Sequence, residues 1–155
     1  HASAHLLILG DGPLRDRLRR FRDKSQVADR VHFLGQREDA WRILPHFDVL
    51  WSTSAYEGQS NAIMEAMSHA IPVVATDIAG TRDLVVDGQT GLLVSAAKAD
   101  QERRRATFAK HTLKLLEDAQ LARRLGEAGR RRMETEFTVE RMVARHAELY
   151  RELLL

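Results

Sequence analysis

The sequence predicts an α/β fold, in which a parallel sheet carries helices on both faces and a C-terminal helical segment follows. Three observations lead to this prediction. Short apolar runs alternate with segments of helical periodicity in the first two thirds of the chain, a pattern typical of parallel sheets. Two of the runs end at glycines, Gly10 and Gly35, which indicates turns out of strands. From residue 100 onward only helical periodicity remains.

The apolar runs predict five strands and the segments between them predict the connecting helices. The strand sequences are HLLIL (5–9), VHFL (31–34), DVLWS (48–52), IPVVAT (71–76) and GLLV (91–94). We expect the intervening helices at residues 14–27, 38–47 and 60–69. Trp41 and Trp51 fall in core-like patterns, so both are expected to be buried.

The last helix has the most regular apolar face of the C-terminal segment. Thr138 is expected to cap its N-terminus, because a threonine oxygen can accept from the first free N–H groups of a helix. The apolar face then either covers the sheet or contacts a neighbour outside the chain. The residues of this face are Val139, Met142, Val143, His146, Leu149, Tyr150 and Leu153.

Composition limits the class of protein. The 155 residues suit one compact domain with a hydrophobic core, since 44% are hydrophobic and 30% are charged. There are no cysteines, and no apolar run approaches the roughly 20 residues of a membrane span, so we expect a cytoplasmic protein. The histidines lack the spacing of metal ligands, so we expect no metal and no cofactor within the chain.

The formal net charge is only +2, but the tail contains two arginine triplets, at residues 103–105 and 130–132. Our first interpretation is that both lie on solvated faces of helices. The alternative is contact with another domain or with an anionic membrane surface, which would place the protein peripherally at the inner face of the membrane. Binding to nucleic acid is disfavoured, because no aromatic interleaving or reader motif accompanies the charge.

The stretch AYEGQSNAIMEAM (55–67) combines residues that suit a polar ligand. Glu57 should lie at the carboxyl edge of the sheet, where ligands bind in open parallel sheets. Ser60 can cap the following helix, whose first N–H groups point toward an anion or a hydroxyl. Asn61 and Glu65 are four residues apart and share a helix face. A sugar nucleotide, with hydroxyls at two ends and negative charge between them, would match this arrangement.

The same residues also admit an ordinary structural explanation. A glutamate near a helix start can simply favour the helix dipole, and Glu65 can be a plain surface residue. Two glutamates with seven residues between them are weak evidence when taken alone. The interpretation therefore depends on the rest of the sequence.

Much of the chain resembles the nucleotide-binding half of a retaining family 4 glycosyltransferase, a C-terminal domain of the GT-B fold. The resemblance implies a Rossmann-like sheet and covers nearly the whole chain in the family's order and spacing. The matching stretches are LLILGDGPLRDRL (6–18), DRVHFLGQRED (29–39), DVLWSTSAYEGQSNAIMEAMSHAIPVVATDIAG (48–80), DGQTGLLV (87–94) and RLGEAGRRRMETEFTVERMV (124–143).

The resemblance implies a role for each matching residue. Glu57 corresponds to the glutamate at the donor sugar and reacting centre, and Glu65 to the one that accepts hydrogen bonds from the ribose hydroxyls. The loop and helix tip that contact the sugar hydroxyls and the diphosphate correspond to Gly58, Gln59, Ser60 and Asn61. The loop beside the base corresponds to Gly35, Gln36 and Arg37. Such enzymes transfer a sugar from a nucleoside diphosphate to an acceptor hydroxyl with retention of the anomeric configuration.

The resemblance also implies that residues 1–155 are a single nucleotide-sugar-binding domain, truncated at its N-terminal end. The family's diphosphate-binding Arg and Lys and its N-terminal acceptor domain would lie before residue 1, so we expect this chain alone to be inactive. Ala70 stands where the family usually has glycine. Two alternatives remain open: a related GT-B sugar-nucleotide epimerase, and a catalytically inactive nucleotide-sugar-binding module.

Overall fold

The computed structural model describes residues 3–97 and 101–154. The chain divides into two compact units, His1–Ile43 and Leu44–Leu155, and each is described by itself. The assignment of residues 1–155 to a single nucleotide-sugar-binding domain stays a prediction.

The first unit contains a parallel pair of strands. Strand β1 (Leu6–Leu9) pairs with β2 (Val31–Gly35), and Leu6 lies opposite Val31. Both strands end at glycines with positive φ, 106° at Gly10 and 69° at Gly35, and the Gly10 N–H donates to the Gly35 carbonyl at 2.7 Å. The helices of this unit are α1 (Arg15–Asp23) and α2 (Ala40–Ile43).

The second unit contains a three-stranded parallel sheet with helices on both faces. Its strands are β3 (Leu50–Ser52), β4 (Val73–Asp77) and β5 (Leu92–Ser95), in the order β3-β4-β5. Its described helices are α3 (Asn61–Ser68), α4 (Ala79–Arg82), α5 (Gln101–Glu117), α6 (Ala119–Glu136) and α7 (Val139–Leu153).

Alternation along β4 divides the core of this unit between the two faces of the sheet. Val73 and Ala75 are fully buried in a cluster with Ile63 and Met67 of α3. Val74, between them, is buried in a second cluster on the opposite face, with Phe108 and Leu115 of α5 and Leu125 of α6 among its members. A central strand that is apolar on both faces is what an α/β sheet requires, so the predicted fold class is confirmed.

The connection from α3 to β4 contains a strained residue. Ala70 has a φ of 57°, in the left-handed region that glycine adopts most readily. The Ile71 N–H donates to the Ala66 carbonyl and the Ala70 N–H to the Met67 carbonyl, both at 2.9 Å. This pair of bonds is a Schellman motif, which satisfies the last carbonyls of α3 and sets the direction in which β4 begins.

The five predicted strands are all present, but two connecting segments differ from prediction. The helix expected at 38–47 is shortened to α2, and a 3-10 turn follows at Leu44–His46. Pro45 explains the change, because proline has no N–H to donate and disfavours the α conformation in the residue before it. The helix α4 was not predicted, since its four residues are too few for a periodic pattern.

The exposure of α7 and of the two tryptophans differs from what the sequence predicts. Thr138 caps α7 as predicted, accepting from the Arg141 N–H, but α7 has no buried residue and its apolar face does not cover the sheet. Burial of the two tryptophans was also wrong, because Trp41 is 59% exposed and Trp51 is 42% exposed.

Candidate functional site

The loop after β3 places Glu57 in solvent at the carboxyl end of the sheet. Glu57, Gly58 and Gln59 are all exposed. The Ser54 hydroxyl donates a hydrogen bond of 2.7 Å to Glu57 Oε1, which orients this carboxylate. The other carboxylate oxygen, Oε2, is available to accept from a ligand hydroxyl.

The tip of α3 presents backbone donors next to this loop. Ser60 is the N-cap residue with an extended backbone, and its carbonyl accepts from the Met64 N–H at 3.1 Å. Its side chain, however, makes no capping hydrogen bond, so the expected side-chain cap is wrong. Because the first N–H groups of a helix have no intrahelical acceptors, those of residues 61–63 are left for a ligand.

Asn61 and Glu65 are both exposed on one face of α3, as their spacing predicts. They line a groove of about 490 Å³ between α3 and α6. Arg130 lines the same groove, and its Nε donates to Glu134 at 2.7 Å. The structure therefore brings Asn61 and Glu65 together and adds the cationic side chain of Arg130, to which the sequence had assigned no role at this site.

Gly80 is a positioning residue for this loop, and sequence reasoning gave it no role. It is buried at the start of α4, where a Cβ atom would lie 1.7 Å from the Gly58 carbonyl oxygen and 2.4 Å from that of Glu57. Only glycine allows α4 to approach the loop this closely. A glycine three residues after the end of a buried strand was the available signal, but only the fold reveals what it contacts.

Gly35, Gln36 and Arg37, expected beside a nucleotide base, lie in the first unit. Arg37 forms a bidentate pair with Asp39, with both N–O distances at 2.7 Å. The hydrogen bond from Arg37 lowers the pKa of Asp39, so the pair stays ionised at neutral pH.

The described residues contain neither a candidate metal site nor a candidate membrane-spanning helix. Across residues 3–97 and 101–154, no group of three or more His, Cys, Asp or Glu side chains is arranged to hold a metal ion. No helix in the described part of the chain is long and apolar enough to cross a membrane.

Residues 1–118 match the family model described as glycosyl transferases group 1. The chain belongs to this family of glycosyltransferases. The matched region includes the Glu57 loop, α3 and Gly80, whereas α6, with Arg130 of the groove, lies outside it.

Curated relatives of this glycosyltransferase domain match nearly all of its length. It is 27% identical over 151 residues to N-acetyl-alpha-D-glucosaminyl L-malate synthase of Bacillus anthracis, covering 97% of this chain and 38% of the relative. It is 30% identical over 145 residues to the lipopolysaccharide core biosynthesis glycosyltransferase LpsE of Rhizobium meliloti, covering 94% of this chain and 41% of the relative. The chain thus spans about two fifths of the length of these relatives.

Solved structures share the fold. The domain superposes on an S. aureus TarM mutant, in complex with fondaparinux, alpha-GlcNAc-glycerol and UDP, with a TM-score of 0.86 and 25% identity. The match covers 96% of this chain and 29% of the TarM chain. The Rossmann-like fold and its identity as one half of a GT-B fold are confirmed.

Proposed function

We propose that the chain is the donor-binding domain of a retaining glycosyltransferase that uses a nucleoside-diphosphate sugar. The observation that carries the proposal is the uncapped tip of α3, with the exposed carboxylates Glu57 before it and Glu65 one turn inside it. In this arrangement Glu57 accepts hydrogen bonds from the donor sugar and Glu65 accepts them from the ribose hydroxyls. Residues 58–61, between them, bind the diphosphate. Family membership and the UDP in the TarM complex support this assignment.

The proposed reaction needs stabilisation of the leaving group more than a strong base. The acceptor oxygen attacks the anomeric carbon, the bond from that carbon to the diphosphate oxygen breaks, and the acceptor proton passes to the leaving diphosphate. Free N–H groups at the tip of α3 would stabilise the charge that develops there. Electrostatic preorganisation of this kind is commonly the largest catalytic contribution, and we propose that it operates without a metal ion bound by this chain.

The remaining parts of the proposal concern the full-length protein. We propose that it carries an acceptor-binding domain outside this chain, consistent with relatives of which the chain covers 38% and 41%. The diphosphate-binding Arg and Lys of the family would lie outside it as well. We further propose that the protein is cytoplasmic, with peripheral contact at the inner face of the membrane, and that Gly35, Gln36 and Arg37 contribute to recognition of the base.

Thermal-shift measurements on the full-length protein, with a panel of nucleotide sugars, test donor binding. A ligand that binds only the folded state, present at 100 times its Kd, should add about 2.7 kcal/mol to the free energy of unfolding.

Glu65→Gln should weaken donor affinity by about tenfold or more, because hydrogen bonds to a charged acceptor contribute about 1.5–3 kcal/mol. Glu57→Ala should abolish sugar transfer while the protein stays folded.

Glu148→Gln on α7 is the matched control, since it removes one exposed carboxylate that does not line the α3–α6 groove. Donor binding with no transfer in the unmodified protein would favour an inactive module, and conversion of the donor sugar without an acceptor would favour an epimerase. Full transfer activity in Glu57→Ala would contradict the assigned reacting centre.

A further inference from the structure

A second pocket lies on the face of the β3-β4-β5 sheet opposite α3. It has a volume of about 340 Å³, within the range of small-molecule sites. It is formed at the carboxyl ends of β3 and β4 by these strands and the first turns of α5, the edge at which open parallel sheets bind ligands. Its lining residues are Trp51, Thr53, Thr76, Arg104, Arg105 and Phe108.

The floor of the pocket is aromatic and held rigidly. The Trp51 ring packs against Phe108, with ring centroids 5.8 Å apart and an angle of 56° between the planes. The indole Nε1 donates to Thr112 Oγ1 at 2.7 Å, which fixes the orientation of the ring. Trp51 nevertheless stays 42% exposed, so part of an oriented indole is available for contact with a ligand ring.

The rim of the pocket is cationic. Arg104 and Arg105 both line it, and neither guanidinium forms an ion pair or hydrogen bond with another residue of the described chain. None of the six lining side chains is acidic. Two guanidinium groups that have no partner among the described residues, next to an exposed aromatic surface, suit an oxyanion, because each can donate a bidentate pair of hydrogen bonds.

Hydroxyl groups complete the lining. Thr76 is only 4% exposed, and its Oγ1 donates to the Ser52 carbonyl at 3.4 Å, which leaves lone pairs of the same oxygen to accept from a ligand. Thr53 adds an exposed hydroxyl where β3 ends. The combination of a ring-sized aromatic surface, hydroxyls and two arginines matches a polyhydroxylated ring that carries an anionic group.

We propose that this pocket binds a small sugar-like molecule bearing a phosphate or carboxylate group. Trp51 stacks on the ring, Thr53 and Thr76 contact its hydroxyls, and Arg104 and Arg105 bind the anion. The site shares no residue with the proposed donor site at Glu57, residues 58–61 and Glu65. It therefore stands independently of the proposed function and goes beyond it.

Fluorescence titration with glucose 1-phosphate tests the proposal on the chain itself. The background variant Trp41→Phe leaves Trp51 as the single reporter of the two tryptophans in the sequence. We expect a saturable change in Trp51 emission with glucose 1-phosphate, and a much weaker response to glucose or to inorganic phosphate alone. Arg104→Gln with Arg105→Gln should weaken binding on the order of tenfold per arginine.

Lys110→Gln with Lys114→Gln is the matched control, because it removes two positive charges from α5 outside the pocket. Its affinity for glucose 1-phosphate should equal that of the background variant, and so should that of Glu65→Gln. The proposal is overturned if the background variant shows no saturable response at millimolar probe, or if the lysine control loses affinity as much as the arginine variant. Loss of binding in Glu65→Gln would also overturn it, by assigning the response to the donor site.

Discussion

At the scale of single residues, Ala70 occupies a backbone conformation that suits glycine better. Its φ of 57° lies in the left-handed region, where a Cβ atom costs roughly 1–2 kcal/mol. The Schellman bonds at the end of α3 hold it there, because β4 must begin immediately afterwards. Burial of Ile71 and of the strand that follows keeps the backbone in place against this strain.

Ala70→Gly is therefore expected to raise the free energy of unfolding by about 0.5–1 kcal/mol, since relief of strain exceeds the added flexibility of the unfolded chain. Urea denaturation measures the change. Ala109→Gly, at an exposed position inside α5, is the opposite control and should lower stability by about 1 kcal/mol. If both substitutions destabilised equally, the strain at Ala70 would be disproved.

At Gly80 the opposite substitution, glycine to alanine, is expected to destabilise the protein. In Gly80→Ala the new methyl group would meet the Gly58 and Glu57 carbonyl oxygens, so the loop must move away from α4. We expect a loss of about 1–3 kcal/mol in stability, typical of an overpacked site. Amide chemical shifts of residues 57–59 should change with it, and donor affinity of the full-length protein should fall.

Gly12→Ala is the control for this substitution, because a Cβ atom at Gly12 meets nothing within 4 Å. It should leave stability within about 1 kcal/mol of the original. Unchanged shifts at residues 57–59 in Gly80→Ala would rule out the positioning role.

At the scale of elements, the strands were predictable because burial on both faces leaves a continuous apolar run in the sequence. The β4 run IPVVAT is the clearest case, and Val73 and Val74 are indeed fully buried on opposite faces. The exposed positions of Glu57 before α3 and of Glu65 on it were also predictable, because that motif is local, while their roles at a donor stay a prediction. Gly80 and the Trp51 pocket were not, because each depends on segments brought together only by the fold.

The helix α5 contains a histidine that should make stability depend on pH. Burial lowers the pKa of His111 below 6.5, with Lys110 and Lys114 acting in the same direction and Asp87 opposing them. The unfolded chain therefore binds a proton more readily than the folded one, so stability should fall as pH drops below about 6.5. His111 Nδ1 is buried and has no hydrogen-bond partner among the described residues, which adds to the cost of protonating the ring in place.

Chemical denaturation of His111→Gln from about pH 5 to about pH 8, a range that spans the ordinary pKa of histidine, checks this expectation. The slope of stability against pH below 6.5 should become shallower than in the original chain. His46→Gln, at an exposed position, is the control and should keep the original slope. An unchanged slope in His111→Gln would assign the acid sensitivity to other groups.

The helix α7 should be the least protected of the long helices. None of its residues is buried, and Val139, Leu149 and Leu153 are 67%, 49% and 72% exposed. An isolated helix of about 15 residues is only marginally stable in water, because packing normally supplies most of its stability. Amide hydrogen exchange should therefore be faster in α7 than in α6 by several orders of magnitude, because α6 buries Leu125 and Met133. Equal protection would mean that α7 has packing partners in solution.

At the scale of the whole molecule, the chain has exposed carboxylates and free backbone N–H groups that the proposed donor would contact, but it covers only about two fifths of the length of its relatives. Glu57 and Glu65 are exposed, and the tip of α3 is uncapped. A diphosphate carries charge that these groups alone balance only in part, since Arg130 in the α3–α6 groove already pairs with Glu134. Under the proposed function, activity would therefore depend on groups contributed by the part of the full-length protein outside this chain.

We expect the 155-residue chain alone to transfer no sugar and to bind nucleoside diphosphates weakly, because cationic partners for the diphosphate and a surface for the acceptor would come from outside it. The measurement compares the chain with the full-length protein in an assay for release of the nucleoside diphosphate from the donor that binds in the thermal-shift panel, with calorimetric titration of that nucleoside diphosphate in parallel. Adding the separately produced N-terminal domain to the chain should restore part of the activity if the two associate. Robust transfer by the chain alone would show that α3 and its flanking glutamates suffice for catalysis, and would overturn this division of labour.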